Sequence, residues 1–159
     1  MLVPAVMAAV CLCAGAAGAE RLRARAALLR SWQRALFAMH AACAYARATC
    51  AQVLRAGASE VCQLGEIARA VELNGADAGR LFAAGGKDRL LRDEEHAVLV
   101  SALNAVATGG REEMSAALGY ALERFQGFCS ESEKKRNADA GLYLTLGALT
   151  GLCVFLVLC

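Results

Sequence analysis

Two groups of residues in this sequence have types and spacings that could carry chemistry. In His40-x-x-Cys43, an imidazole and a thiol lie on one helical turn, as two ligands of a transition metal would. In Glu94-Glu95-His96, two carboxylates stand beside an imidazole and could exchange protons. Consecutive helical residues point about 100° apart, however, so these three do not converge on one substrate atom. We therefore interpret the first group as side chains in a helix seam and the second as a solvated helix start.

Other motifs of enzymes and metal proteins are absent from the sequence. The 8 cysteines form no Cys-x-x-Cys pair, which argues against a zinc ribbon or a thioredoxin-type redox site. The sequence contains no GxxxxGK[S/T] loop, no GxGxxG after a strand and no HExxH. The net charge of +2 leaves no basic footprint for nucleic acid. We predict a protein that is not an enzyme, with no catalytic residue, cofactor, metal site or small-molecule substrate.

The charged residues occupy only the middle of the chain. Residues 1–19 and 142–159 contain none, and all 17 basic and 15 acidic side chains lie between Glu20 and Asp139. The second segment reads LYLTLGALTGLCVFLVLC, which as a helix would extend about 27 Å against a hydrocarbon core of about 30 Å. We predict transmembrane helices at 1–19 and 142–159, flanking a domain of residues 20–141.

Basic residues flank both segments on their inner sides. They are Arg21, Arg23 and Arg25 after the first segment, and Lys134, Lys135 and Arg136 before the second. The positive-inside rule then places residues 20–141 in the cytoplasm and both termini outside, as in a two-pass membrane protein. The basic residues near the second segment could also contact anionic lipid head groups.

The N-terminal segment leaves an alternative open. Small residues at 17–19 would suit cleavage of a signal peptide, although no basic residue precedes the apolar run. The alternative is an extracytoplasmic helical protein with a signal peptide and a C-terminal tail anchor. A small membrane enzyme using His40 or His96 is a third hypothesis, and it would need a polar cluster that the sequence does not offer.

The middle of the chain has a helical pattern throughout. Apolar or small residues recur every seven positions from Leu29 and from Trp32, which predicts one helix from Glu20 to about Leu54. We expect it to pack against later helices of the chain, with a self-associating coiled coil as the alternative. The predicted helix ends are Gly57, Asn74-Gly75, Gly85-Gly86 and Gly109-Gly110, and the predicted N-caps are Ser59, Asp77 and Asp93.

A last helix is predicted from about Glu112 into the C-terminal segment. There, Gly147 and Gly151 form a GxxxG motif that lets membrane helices approach closely, so we predict a packing face at these two glycines. The predicted fold class is all-α, a helical bundle of about five to six helices flanked by N- and C-terminal transmembrane helices.

The order of several segments resembles a known family. Gly18-Ala19-Glu20 leads into a long basic helix, and Asp93-Glu94-Glu95 opens a Leu-rich helix that ends at Gly109. The polar stretch 132–137 then precedes the closing run LGALTGL at 146–152. Over nearly the whole chain this is similar to the stage III sporulation protein AB family of endospore-forming Firmicutes. Family members often carry Asp-Arg and Gln after the Leu-Gly that ends the penultimate helix, where this chain reads TGGREEM at 108–114.

The resemblance implies a role that the residues alone do not indicate. It implies a cytoplasmic domain similar to that of the inner-membrane platform protein of type II secretion and type IV pili. It also implies a place in the mother-cell membrane around the forespore, within a transenvelope channel joining the two cells. The implied partners are the other channel subunits, including a secretion-type ATPase on the cytoplasmic side, together with membrane lipids. The expected function is that of a platform or scaffold.

Overall fold

A computed structural model of the chain describes residues 2–45, 48–75, 77–85 and 88–158, and every regular element in these ranges is an α-helix. The six helices are α1 Leu2–Tyr45, α2 Cys50–Gly57, α3 Cys62–Asn74, α4 Ala78–Ala84, α5 Asp93–Thr108 and α6 Arg111–Leu158. The predicted all-α class is therefore confirmed. So is the continuation of the last helix through the polar stretch into the C-terminal segment.

The helices form two compact units. Leu28–Cys129 is the bundle, and Met1–Ala27 together with Ser130–Cys159 is the second unit, so that α1 and α6 contribute to both. Within the described ranges, no helix contains a stretch of residues that is long and apolar enough to cross a membrane. The membrane-spanning character of residues 1–19 and 142–159 stays a prediction.

The core of the bundle follows the seven-residue pattern of α1. Leu29, Trp32, Leu36, Met39 and Cys43 are all buried, as the pattern predicted. They belong to one apolar cluster with residues of every other helix, which include Val53, Leu64, Phe82, Leu99 and Phe125. Packing of α1 against later helices of the same chain is thus confirmed.

The prediction of one unbroken helix to Leu54 is wrong. The first helix ends at Tyr45, and α2 begins at Cys50 after the extended residue Thr49. The Thr49 hydroxyl accepts the Gln52 backbone N–H at 3.4 Å, and the Gln52 side chain accepts the Thr49 N–H at 2.9 Å. This reciprocal pair is a capping box, whose T-x-x-Q signature is present in the sequence and stabilises a new helix start.

The other predicted helix ends are largely confirmed. The second helix ends at Gly57, and the predicted glycines Gly75 and Gly109 follow the last residues of α3 and α5 as their C-caps, Gly75 in the left-handed region with φ 60°. Of the predicted caps, Asp77 is confirmed because its carboxylate accepts the N–H groups of Gly79 and Arg80. The predicted stop at Gly86 lies outside the described residues.

Two predicted N-caps are wrong. The Ser59 hydroxyl donates to the carbonyl of Ala56 behind it, and α3 begins only after Val61. Asp93 is the first residue of α5 rather than its cap, since Arg92 holds the extended conformation before the helix. The capping acceptor is instead Glu95, whose carboxylate accepts the Arg92 backbone N–H at 2.7 Å.

Candidate functional site

The His40-x-x-Cys43 pair makes contacts that suit packing. The Cys43 side chain is buried, and its thiol donates to the backbone carbonyl of Arg111 at 3.7 Å. His40 is half-buried and lies against α6, where its ring is 3.7 Å from the place of a Cβ on Gly119. Among the described residues, no group of three or more His, Cys, Asp or Glu side chains could hold a metal ion.

The Glu94-Glu95-His96 run places its three side chains against three different neighbours. Glu94 is exposed and pairs with Arg124 of α6, whose guanidinium lies over the Phe128 ring at 5.3 Å. The His96 ring stacks on Phe82 with centroids 5.2 Å apart. Glu95 is only 2% exposed, so the interpretation of this run as a solvated helix start is wrong for Glu95. Its burial is tolerated because its carboxylate accepts the Arg92 N–H.

Arg111 joins the two long helices of the bundle. Its Nε donates to the Cys43 carbonyl at 3.2 Å, and a terminal nitrogen donates to the Ala44 carbonyl at 2.7 Å. The last carbonyls of a helix have no intrahelical donor, so this guanidinium caps α1 from the first residue of α6. No local sequence pattern singles out Arg111, because the cap is supplied from another helix.

The thiols differ in exposure. Cys43 and Cys129 are buried, Cys50 is half-buried, and Cys13, Cys62 and Cys153 are exposed. Burial raises the pKa of the Cys50 thiol above its ordinary value. The side chains of Cys11 and Cys159 lie outside the described part of the chain.

The C-terminal segment carries an exposed leucine face. Leu142, Leu146, Leu149 and Leu152 are between 50% and 58% exposed. Its threonine hydroxyls bond within the helix: Thr145 donates to the Gly141 carbonyl and Thr150 to the Leu146 carbonyl. Hydroxyls bonded in this way need no water. Gly147 and Gly151, the predicted packing face, lie within α6, and their surroundings are outside what the structure describes.

The basic residues beside the end segments are mostly at the surface. Arg23 pairs with Glu20 at 3.1 Å, Lys135 pairs with Glu131 at 2.8 Å, and Arg136 donates to Asn137. Arg21 and Lys134 are exposed, and Arg25 is half-buried. Exposed pairs of this kind contribute about 0–1 kcal/mol each, so they leave these cations available to a charged surface.

A buried stripe of small residues on α1 was not predicted. Gly15, Ala19 and Ala26 are buried, and Ala19 and Ala26 are each 2% exposed. Ala19 and Ala26 lie in the unit formed by Met1–Ala27 and Ser130–Cys159. Gly15 continues the seven-residue spacing of Leu29, whereas Ala19 and Ala26 are seven residues apart in a register that neither Leu29 nor Trp32 shares. Extending the predicted pattern upstream would therefore have found only Gly15 of this stripe.

Comparison with known proteins adds one match. A family model described as stage III sporulation protein AB matches residues 2–159. No curated protein and no solved structure matches the chain.

Proposed function

The chain belongs to the stage III sporulation protein AB family, and on that premise we propose that it is a membrane platform subunit of a channel between mother cell and forespore. The observation that carries this proposal is the family match over residues 2–159, which includes both end segments as well as the bundle. Family membership by itself gives the chain a role in stage III of sporulation. The channel and the platform role are the steps that we propose.

The end segments support an arrangement with two membrane passes. Both are free of charged residues, and basic residues follow the first and precede the second. The exposed leucine face at 142–152 would meet lipid, and the threonine hydroxyls beside it are already bonded to their own helix. In this arrangement residues 20–141 are cytoplasmic, and the membrane is that of the mother cell around the forespore.

A scaffold role, without enzymatic activity, fits the contacts of the bundle. His40, Cys43, Glu95 and His96 each lie against a different neighbour. We propose that the bundle instead presents its surface to a secretion-type ATPase and to other channel subunits. Gly147 and Gly151 are proposed to pack against a membrane helix of one of these subunits.

Protease added to protoplasts of non-sporulating cells that produce the chain tests the topology, because the chain then lies in a membrane that the protease can reach from outside. We expect residues 20–141 to be protected in intact protoplasts and digested once the membrane is permeabilised. Digestion without permeabilisation would overturn the cytoplasmic location and the platform role with it. Mass measurement of the mature chain tests the alternative, because loss of about the first 19 residues would indicate a cleaved signal peptide and an extracytoplasmic protein.

Co-purification tests the proposed partners. Tagged full-length chain from sporulating cells should retain the ATPase encoded for the same channel, and its absence under mild solubilisation would contradict that partner. Gly147→Leu and Gly151→Leu should reduce recovery of the membrane subunits, since a bulky side chain separates closely packed helices. Ala148→Leu is the matched control on the same helix and should leave recovery unchanged.

A further inference from the structure

A cavity with an aromatic floor opens on the bundle surface beside α1. Its volume is about 240 Å³, and it is lined by Trp32 and Phe82, whose rings meet edge to face with centroids 5.3 Å apart. Leu28, Val61 and Leu91 complete its apolar wall. Small-molecule sites usually enclose about 300–1,000 Å³, so this cavity has the size for a single side chain.

The remaining lining of the cavity carries negative charge. Glu60 and Asp88 both line it, and none of its described lining residues is basic. Arg34 approaches Glu60 at 3.6 Å, but it does not line the cavity and its side chain is 69% exposed. Such an exposed pair is weak, so an incoming cation can share the Glu60 carboxylate. Two carboxylates and two aromatic rings line the same cavity, so a cation bound there is attracted by the negative charge and lies beside the rings.

A second depression adjoins the first at Glu60. It has a volume of about 470 Å³, and its lining includes Glu60, Phe37 and Leu122. The Phe37 side chain is 64% exposed. Apart from the Arg34–Glu60 pair, the polar residues of this groove are the uncharged Gln33, Ser59 and Gln126. The groove therefore suits an apolar group, whereas the Trp32 cavity suits a cation.

We propose that this face of the bundle binds a segment of a partner protein, with a lysine or arginine side chain in the Trp32 cavity and a neighbouring apolar side chain on Phe37. Charge complementarity selects this occupant. An acidic segment would be repelled by Glu60 and Asp88, and a purely apolar one would cover both carboxylates without supplying a charge to offset their lost hydration. The proposal concerns the bundle alone and does not depend on membrane topology.

Fluorescence of the full-length chain in detergent gives a direct test, because Trp32 is the only tryptophan in the sequence. The probes are n-butylguanidinium and its uncharged analogue n-butylurea. We expect a saturable change in Trp32 emission with the guanidinium, at an affinity at least about threefold higher than that of the urea. Equal affinities, or no saturable change with the cation, would overturn the proposal.

Three variants distinguish an effect of the acidic lining residues on cation binding from a general effect of the protein's charge. Glu60→Gln and Asp88→Asn should each lower the affinity for n-butylguanidinium about threefold and leave n-butylurea unaffected. Glu66→Gln is the matched control, since Glu66 is exposed on α3 and lies outside both depressions. An equal loss in the Glu66→Gln chain would indicate a non-specific charge effect and contradict the site.

Short peptides test the adjoining groove. Four-residue peptides with arginine at one end and leucine at the other, in both chain directions, are compared with blocked arginine alone. At least one should bind more tightly than arginine, and Phe37→Ser should remove this gain without changing the affinity for n-butylguanidinium. If neither peptide gains affinity, or if the gain persists in the Phe37→Ser chain, the groove is not part of the site.

Discussion

Arg111 and Cys43 exchange hydrogen bonds although they are 68 residues apart in the sequence. The Arg111 Nε donates to the Cys43 carbonyl at 3.2 Å, and the Cys43 thiol donates to the Arg111 carbonyl at 3.7 Å. Together with the bond from Arg111 to the Ala44 carbonyl, this contact closes the end of α1. It fixes the C-terminus of the first bundle helix to the N-terminus of the last.

Arg111→Ala should lower the free energy of unfolding by about 1–2 kcal/mol, because the carbonyls of Cys43 and Ala44 lose their donor. Denaturant unfolding followed by circular dichroism measures the change. Arg69→Ala is the matched control at an exposed helical arginine and should change stability by less than about 0.5 kcal/mol. Equal effects of the two substitutions would show that Arg111 does not act as a cap.

Gly79→Ala should destabilise the bundle by about 1–2 kcal/mol, because α4 approaches α5 closely at this glycine. A Cβ there would overlap the Asn104 side chain and lie 3.1 Å from the Asn104 backbone nitrogen. Gly127→Ala makes the same change on α6, where a Cβ would meet nothing within 4 Å. It should raise stability by up to about 1 kcal/mol through helix propensity alone. Thermal midpoints of the two chains should therefore move in opposite directions.

Thr49→Ala should cost about 1 kcal/mol of stability by removing the capping box of α2. Ser59→Ala removes a hydroxyl that starts no helix and makes only a long, exposed bond of 3.4 Å to the Ala56 carbonyl, so it should change stability by less than about 0.5 kcal/mol. The urea concentrations at the midpoints of unfolding of the two variants distinguish the roles of the two hydroxyls. A larger loss at Ser59 than at Thr49 would contradict the helix boundaries described above.

Glu95→Ala should destabilise the bundle by about 1–3 kcal/mol, since it leaves the Arg92 N–H without its acceptor. Glu95→Gln keeps an acceptor oxygen and should cost less. Glu94→Ala is the control at the neighbouring exposed carboxylate and should cost no more than about 1 kcal/mol with its ion pair to Arg124. If Glu94→Ala lowered stability more than Glu95→Gln, and Glu95→Gln more than Glu95→Ala, Glu95 would not act as the acceptor at the start of α5.

Cys50 should be alkylated more slowly than Cys62 in the folded chain. Burial raises the pKa of the Cys50 thiol, so at pH 8 a smaller fraction of it is thiolate than for an ordinary cysteine. Its rate should keep rising with pH above the range where an ordinary thiol levels off. Peptide mass spectrometry after timed N-ethylmaleimide treatment measures both sites, and the difference should vanish in denaturant. Equal rates at both cysteines in the folded chain would contradict the burial of Cys50.

The sequence predicted the fold where local patterns determine it. The stripe from Leu29 to Cys43 placed the core face of α1, and Gly75 and Asp77 marked one helix end and the next start. The pattern of apolar residues did not predict the break after Tyr45, because that pattern continues through the break. The T-x-x-Q signature that begins at Thr49 does indicate a new helix start there. A competing capping box thus overrode a pattern of hydrophobic residues.

The interaction surfaces were less accessible to sequence analysis. Trp32 was predicted as a core residue, but its cavity exists only because Glu60 and Asp88 arrive from two separate connections between helices. The burial of Glu95 and the capping by Arg111 likewise depend on which helices pack together. Charge and periodicity describe one helix at a time, and these sites are formed between helices.

The pairing of the first bundle helix with the last has a consequence for how the chain is made. Residues of α1 such as Trp32 share one core with residues of α6 such as Phe125, which the ribosome adds much later. At about 5–20 residues per second, roughly 3–14 s separate the synthesis of Cys43 from that of Arg111. During that interval the apolar face of α1 has no α6 to cover it. The nascent bundle is therefore exposed to chaperones, or to misassociation with neighbouring chains, until its final helix emerges.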